Sequence, residues 1–203
     1  MEKVREEYMT HTGLDICCTA ERFILNDAKN IFLNTAREVC KQRNCEFIYR
    51  SCYDSIVRWL ADSGRKGLLL YGNCGTGKTM IARNILPLIF LEHHNKVMHV
   101  YDAIELTQVT DEVKRYSLKV IDDLGTESNA KVYGQERFAF DEVIDDAEKN
   151  GKLLIVTTNL TAEQLKEKYG TRVYDRIIGN MSRVLFQGES FRYFPKIDTK
   201  RKS

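Results

Sequence analysis

The chain alternates short, unbroken apolar runs with longer amphipathic stretches. Ala28 to Arg43 carries Ile31, Phe32, Thr35 and Val39 on one face, with Asn26 or Asp27 placed to cap it, which predicts a helix. Tyr53 to Ala61 predicts a second, with Ile56, Val57 and Leu60 apolar and Ser63-Gly64 ending it. Gly67 to Tyr71 is continuously apolar, as a strand buried on both faces requires. A glycine-rich turn follows, then a helix from Lys78 to about Leu91 that Pro87 should kink or end early. Further strands are expected at Val97–Tyr101, Leu118–Asp122, Leu153–Thr157 and Arg183–Phe186. Between them lie expected helices at Ala103–Gln108, Gln135–Lys149, Ala162–Tyr169 and Val173–Ile178. Strands alternating with helices imply an α/β fold with a parallel sheet, whose ligands sit at the carboxyl ends of the strands.

Composition narrows this to a soluble globular domain. The chain has 203 residues, 43% hydrophobic and 30% charged, with only 2 Pro. At roughly 150 residues per domain this suggests one domain plus an appendage, and it excludes disordered, collagenous and Pro-rich classes. No apolar run approaches the roughly 20 residues of a membrane helix. The charged start, Met1 to Glu7, lacks the apolar core of a secretion signal, so a cytoplasmic protein without a membrane partner is expected.

Net charge is +2, but the excess lies in residues 171–203, with eight basic and three acidic side chains. Such a basic tail suits nucleic acid or another anion; a solvated, frayed terminus is the alternative. Six cysteines stand at positions 17, 18, 40, 45, 52 and 74, none in a C-x-x-C pair. Cys40, Cys45 and Cys52 with His11 fit no zinc spacing well, which leaves buried, weakly polar side chains.

Candidate chemistry centres on Gly72-Asn73-Cys74-Gly75-Thr76-Gly77-Lys78-Thr79. It fits G-x-x-x-x-G-K-[ST] at every required place, between an apolar strand and a helix. Glycines let backbone N–H groups turn around a polyphosphate, and the helix N-terminus adds donors and partial positive charge. Lys78 can reach the β- and γ-phosphates, and the Thr79 hydroxyl can ligate Mg²⁺. The nucleotide-binding set is therefore Gly72 through Thr79, with Met80.

Three further groups follow. The strand Leu118 to Asp122 ends in Asp122-Asp123, which alternation sends to different sides. Asp122 is expected to hold Mg²⁺ through water, and Asp123 to orient or deprotonate the attacking water. Thr157-Thr158-Asn159 closes another strand; Asn159 either fixes the lytic water or touches the γ-phosphate, or it caps the helix at Ala162, where Thr161 is the rival cap. Arg172 and Arg176 lie one helical turn apart, placed either to complete a neighbour's nucleotide site or to form surface salt bridges.

The order of these motifs resembles one family. The phosphate loop, then Val120 to Glu127, Thr157-Thr158-Asn159-Leu160, Arg172 to Ile177 and Gly188-Glu189-Ser190-Phe191-Arg192 are similar to the AAA+ ATPases of the bacterial helicase loader group (DnaC-like), which includes the IstB-like transposition helpers. The resemblance covers residues 51–194. It implies an ASCE-type P-loop core with Asp122 and Asp123 as Walker B, Asn159 as sensor 1 and Arg176 as arginine finger, with Arg172 an accessory. Arg192 falls in the closing motif.

It further implies ATP–Mg²⁺ as ligand, a homo-oligomer through the Arg176 face, and contact with single-stranded DNA and a replicative ring helicase, or with a transposase. The expected organisation is a helical extension over residues 1–50, read as either a partner-binding arm or helices packed on the core, the ATPase domain over 51–194, and a basic tail over 195–203.

Two departures temper this. Many AAA+ members carry Glu where this chain has Asp123, whose carboxylate sits about 1 Å further back, so slow turnover is expected. Asp102 to Ser117 has room for only one or two short helices, less than loaders that insert an extra DNA-steering helix. A P-loop kinase for a small metabolite is disfavoured, because no arginine-rich lid segment stands between the second and third strands.

Overall fold

A computed structural model describes residues 20–127, 130–132, 135–137 and 139–191. The strands are β1 (Gly67–Gly72), β2 (His99–Asp102), β3 (Leu118–Leu124), β4 (Ala130–Val132), β5 (Gln135–Arg137), β6 (Leu153–Thr158) and β7 (Met181–Phe186). Five of them form a parallel sheet in the order β2-β3-β6-β1-β7. This is the expected α/β architecture, and the order decides what meets at the sheet's carboxyl end. β6 lies between β1 and β3, so the end of β6 separates the phosphate loop from the acidic pair.

The helices are α1 (Ala28–Gln42), α2 (Tyr53–Ala61), α3 (Lys78–Met80, Ile81–Ile85 and Leu86–His94 in succession), α4 (Leu106–Arg115), α5 (Ala139–Lys149) and α6 (Ala162–Asn180). They cover both faces of the sheet. Leu68, Leu70, Val120 and Ile155 point to one core, shared with Phe32 and Val39 of α1, Ile56 and Trp59 of α2, and Ile85 and Phe90 of α3. Leu69, Ile121, Leu154 and Val156 point to the other, with Leu106, Phe140, Val143, Leu165 and Ile177 of α4, α5 and α6. Strand alternation thus fills two cores, which is why these strands read as unbroken apolar runs. Phe23, Leu25, Ala28, Phe32, Ala36 and Val39 are part of the first core, with Phe23 edge-on against Phe90.

Pro87 does not end α3. The segment just before it, Ile81–Ile85, widens into π geometry and the helix continues to His94. Proline offers no N–H to the carbonyl four residues back and its ring crowds that carbonyl, so a wider turn relieves both. The helix expected at Ala103–Gln108 is longer than that. A 3-10 turn, Ala103–Glu105, runs into α4, because Leu106, Val109 and Val113 keep the apolar helical period. Gln135 does not start a helix. Its backbone pairs antiparallel with Val132 in the β4–β5 hairpin, and α5 starts at Ala139. The apolar period of α5, through Phe140, Val143, Ile144 and Ala147, begins only there. The two expected helices around Gly170 are one element with a break at that glycine, at φ 82° and ψ 166°. Among the described residues, no helix is long and apolar enough to cross a membrane.

Candidate functional site

The phosphate loop leaves β1 at Gly72, which sits at φ 121° with β7 pressed against it. A Cβ there would lie 2.2 Å from the Phe186 carbonyl oxygen, which instead accepts the Asn73 N–H at 2.9 Å. Only glycine allows that turn so close to a neighbouring strand. Thr76 braces the loop from within, its hydroxyl donating to the Asn73 carbonyl at 2.7 Å.

Lys78 opens α3 and is nearly buried. Its ammonium donates to the carbonyls of Gly72 at 2.9 Å and Asn73 at 2.7 Å, and to Asn159 Oδ1 at 2.8 Å. Burial pushes its pKa below the usual lysine range, against the nearby charges of Cys74, Asp123 and Asp122.

The amide nitrogen of Asn159, Nδ2, donates to Asp123 Oδ1 at 2.8 Å. One amide therefore links the loop lysine to the end of β3. Asn159 is available for this because Thr161 caps α6. The Thr161 hydroxyl accepts the Gln164 N–H at 3.3 Å, and the Gln164 side chain accepts the Thr161 N–H at 2.9 Å.

The two aspartates diverge. A register shift between Ile121 and Leu124 puts Asp123 at φ 59°, a left-handed conformation that re-aims its side chain. Asp122 is buried behind it. It accepts the Thr157 hydroxyl at 2.6 Å and faces Arg83 Nη1 at 3.4 Å. Thr157 also accepts the Asp123 N–H at 2.8 Å, so one hydroxyl sets both aspartates. Arg83 in turn pairs with Asp102 at the end of β2. Arg83 and Thr157 are absent from the sequence-derived site. Arg83 lies four residues after Thr79, one helical turn along the same face, and that spacing is the signal that points to it.

A cavity of about 590 Å³ opens beside the loop. Gly75, Gly77, Lys78, Thr79, Met80, Asp123 and Asn159 line it. An apolar wall is added by Cys40, Cys45, Phe47, Ile48 and Tyr53, which precede or open α2, together with Phe191. Tyr53 is fully buried and packs on Phe32, Phe47 and Phe186. Burial and then Cys45 hold the Cys40 thiol at a pKa of about 12, so it stays protonated in this wall.

Mg²⁺ takes hard oxygen ligands and completes its shell with phosphates and water. Thr79 and the Asp122–Asp123 pair are donors of that kind; among the described residues, no cluster of three His, Cys, Asp or Glu could hold a metal unaided. The residues present fit a metal carried in with a nucleotide.

Arg176 lies apart from this site. It is held by three carboxylates of α5: Asp145, Asp141 at 3.5 Å and Glu148 at 2.9 Å. Arg172 is three-quarters exposed, 3.7 Å from Asp145. Arg192, the tail over 195–203, His11, Cys17 and Cys18 lie outside the described residues.

A family model described as Novel STAND NTPase 3 matches residues 47–189. No curated protein matches the chain. Among solved structures, one described as a primosome component from Streptococcus pyogenes serotype M3 is 16% identical, with a TM-score of 0.56, over 71% of this chain and 84% of its own. The DnaI structure is 19% identical at a TM-score of 0.54, over 80% and 93%. That of the DnaC helicase loader is 20% identical at 0.50, over 81% and 93%. At these identities the likeness is one of fold alone.

Proposed function

The chain belongs to the Novel STAND NTPase 3 family, and from that premise we propose that it binds ATP with Mg²⁺ and hydrolyses it slowly between copies of itself. One observation carries the reading: Asn159 ties Lys78 to Asp123 across the ends of three strands, beside a cavity of nucleotide size. The triphosphate lies along residues 72–80, and the base enters the apolar wall of Phe47, Ile48 and Tyr53. Lys78 exchanges its carbonyl partners for phosphate oxygens. Thr79 and Asp122 hold Mg²⁺, which when bound neutralises charge on the β- and γ-phosphates. Asp123 orients the attacking water and takes its proton, with Asn159 fixing its position.

Arg176 serves as the finger of a neighbouring copy, with Arg172 beside it. Its three carboxylate partners mean that it must leave α5 to do so, which supports slow turnover, as does the short carboxylate of Asp123. The proposed setting is DNA replication, with single-stranded DNA and a ring helicase as partners. The names of the DnaC helicase loader and the primosome component, which share the fold, support it. An ATP-gated scaffold with little turnover is the second reading, favoured by the same engagement of Arg176.

Mixing Arg176→Ala with Asp123→Asn protein tests the site and the assembly together. Each alone should bind ATP and barely hydrolyse it. Equal mixtures should recover part of the wild-type rate, because some interfaces pair an intact Asp123 with an intact Arg176. No recovery removes the finger in trans; full activity of Asp123→Asn alone removes the catalytic assignment.

A further inference from the structure

The segment Gln187 to Phe191, which follows β7, packs against the phosphate loop. The Phe191 N–H donates to the Gly75 carbonyl at 2.8 Å. Ser190 packs so closely that a Cβ on Gly75 would fall 2.0 Å from its hydroxyl, and the Phe191 ring sits 3.3 Å from the place of a Cβ on Gly77. A side chain from outside the loop holds this strap. Arg50, just before α2, donates to the carbonyls of Gln187 at 3.1 Å and Glu189 at 2.6 Å. Its guanidinium also stacks 3.9 Å over the Phe191 ring.

From this geometry we infer that Arg50 is a positioning residue for the phosphate loop, acting through the strap and touching no ligand itself. The chain of cause is short. A planar trans peptide points its C=O and N–H to opposite sides. Anchoring the Gly75 carbonyl on the strap therefore turns the Thr76 N–H away from it. A loop whose glycines allow many conformations is held in one before any anion arrives, so less ordering is left for binding to oppose. Arg50 suits the task because its planar fork grips two carbonyls while its face covers an aromatic ring; lysine can do one or the other.

This inference rests on the nucleotide-site reading above, and the experiment separates the two. The full chain is titrated calorimetrically with ATP–Mg²⁺, ADP and adenosine, and amide exchange is followed over residues 74–78 without ligand. Arg50→Ala should weaken ATP and ADP about tenfold, the effect of losing roughly one charge-assisted hydrogen bond, and leave adenosine unchanged. Exchange at residues 74–78 should quicken, and Arg50→Lys should not restore either property.

Unchanged ATP affinity, or an equal loss for adenosine, overturns the role of Arg50. If the wild-type chain binds no ATP, the nucleotide reading fails, and amide exchange alone decides: unaltered exchange in Arg50→Ala then overturns the inference too. Should Arg50→Ala not fold, Arg50→Met replaces it. That variant keeps the bulk of the side chain but removes both carbonyl contacts, and should give the same pattern; no effect on loop exchange overturns the proposal.

Discussion

Two groups of cations in this molecule keep different company. Lys78, at the carboxyl end of the sheet, donates to two backbone carbonyls and a neutral amide, and its nearest carboxylates act only from a distance. Around α5 the basic side chains meet carboxylates directly. Arg176, Arg172 and Lys149 converge on Asp145, and Lys119 and Lys152 on Asp146. Charge matched by charge is settled within the fold. A cation matched only by dipoles, and partly desolvated, still has something to gain from an anion that enters. The contrast supports the reading of the first region as a binding site, and it shows which carboxylates Arg176 must leave to serve as a finger.

The largest effect should come from removing the dipole-matched cation. Lys78→Ala is expected to lower ATP affinity by about a hundredfold or more, the worth of a desolvated lysine–phosphate contact of roughly 3 kcal/mol. Its melting temperature should barely move, since Gly72, Asn73 and Asn159 can all rebond to water. Calorimetric titration beside a thermal melt checks both. Unchanged affinity would erase the distinction between the two regions.

A subtler variant turns one region into the other. Asn159→Asp places a carboxylate against Lys78, where an α5-type pair would then form. ATP affinity should drop about tenfold, since phosphate must displace that pair and approach a like charge, while stability changes little, because the new pair is offset by the repulsion from Asp123, to which Nδ2 donates in the wild type. Equal affinity in titration would mean that Lys78 is not the group that meets the phosphates.

How much of this was legible beforehand follows physical lines. β1, β3 and β6 were legible because strands buried on both faces must be apolar throughout. The phosphate loop was legible because Gly72 and Gly75 occupy backbone positions that side chains would block. The helix around Gly170 was legible as two pieces joined at a break. The β4–β5 hairpin was not, since its short strands carry no long apolar period. The length of α4 was understated because Val113 lies beyond the first apolar turn. The cavity wall at Phe47 and Tyr53, and the strap over Gly75, come from segments more than a hundred residues apart, and no local pattern reports such a meeting. Asn159 stood between cap and site in the sequence; the Thr161–Gln164 capping box resolves its position by taking the cap.

The smallest expected effect probes the region around α5 through pH. Lys119 lies on β3 with no exposed surface, donating to the Val113 carbonyl at 3.0 Å, with Asp146 at 3.4 Å. Burial, only partly offset by Asp146, lowers its pKa to about 8. In the unfolded chain the same lysine titrates near 10.4. Between those values the unfolded state holds the proton more tightly, so stability gains as pH rises through the window and the penalty on the buried charge is lifted. From pH 8 to pH 9 that gain is about 1 kcal/mol. Lys119→Met fills the same space without the charge, and leaves Asp146 its contacts with Lys152 and Asn150. Other groups titrate alike in both proteins, so the difference between their unfolding free energies isolates Lys119. That difference should move in favour of the wild type as pH rises from 8 to 9, and a flat difference would mean that Asp146 compensates Lys119 fully. The two regions would then differ in how completely carboxylates offset burial, with Lys78 alone left below its ordinary range.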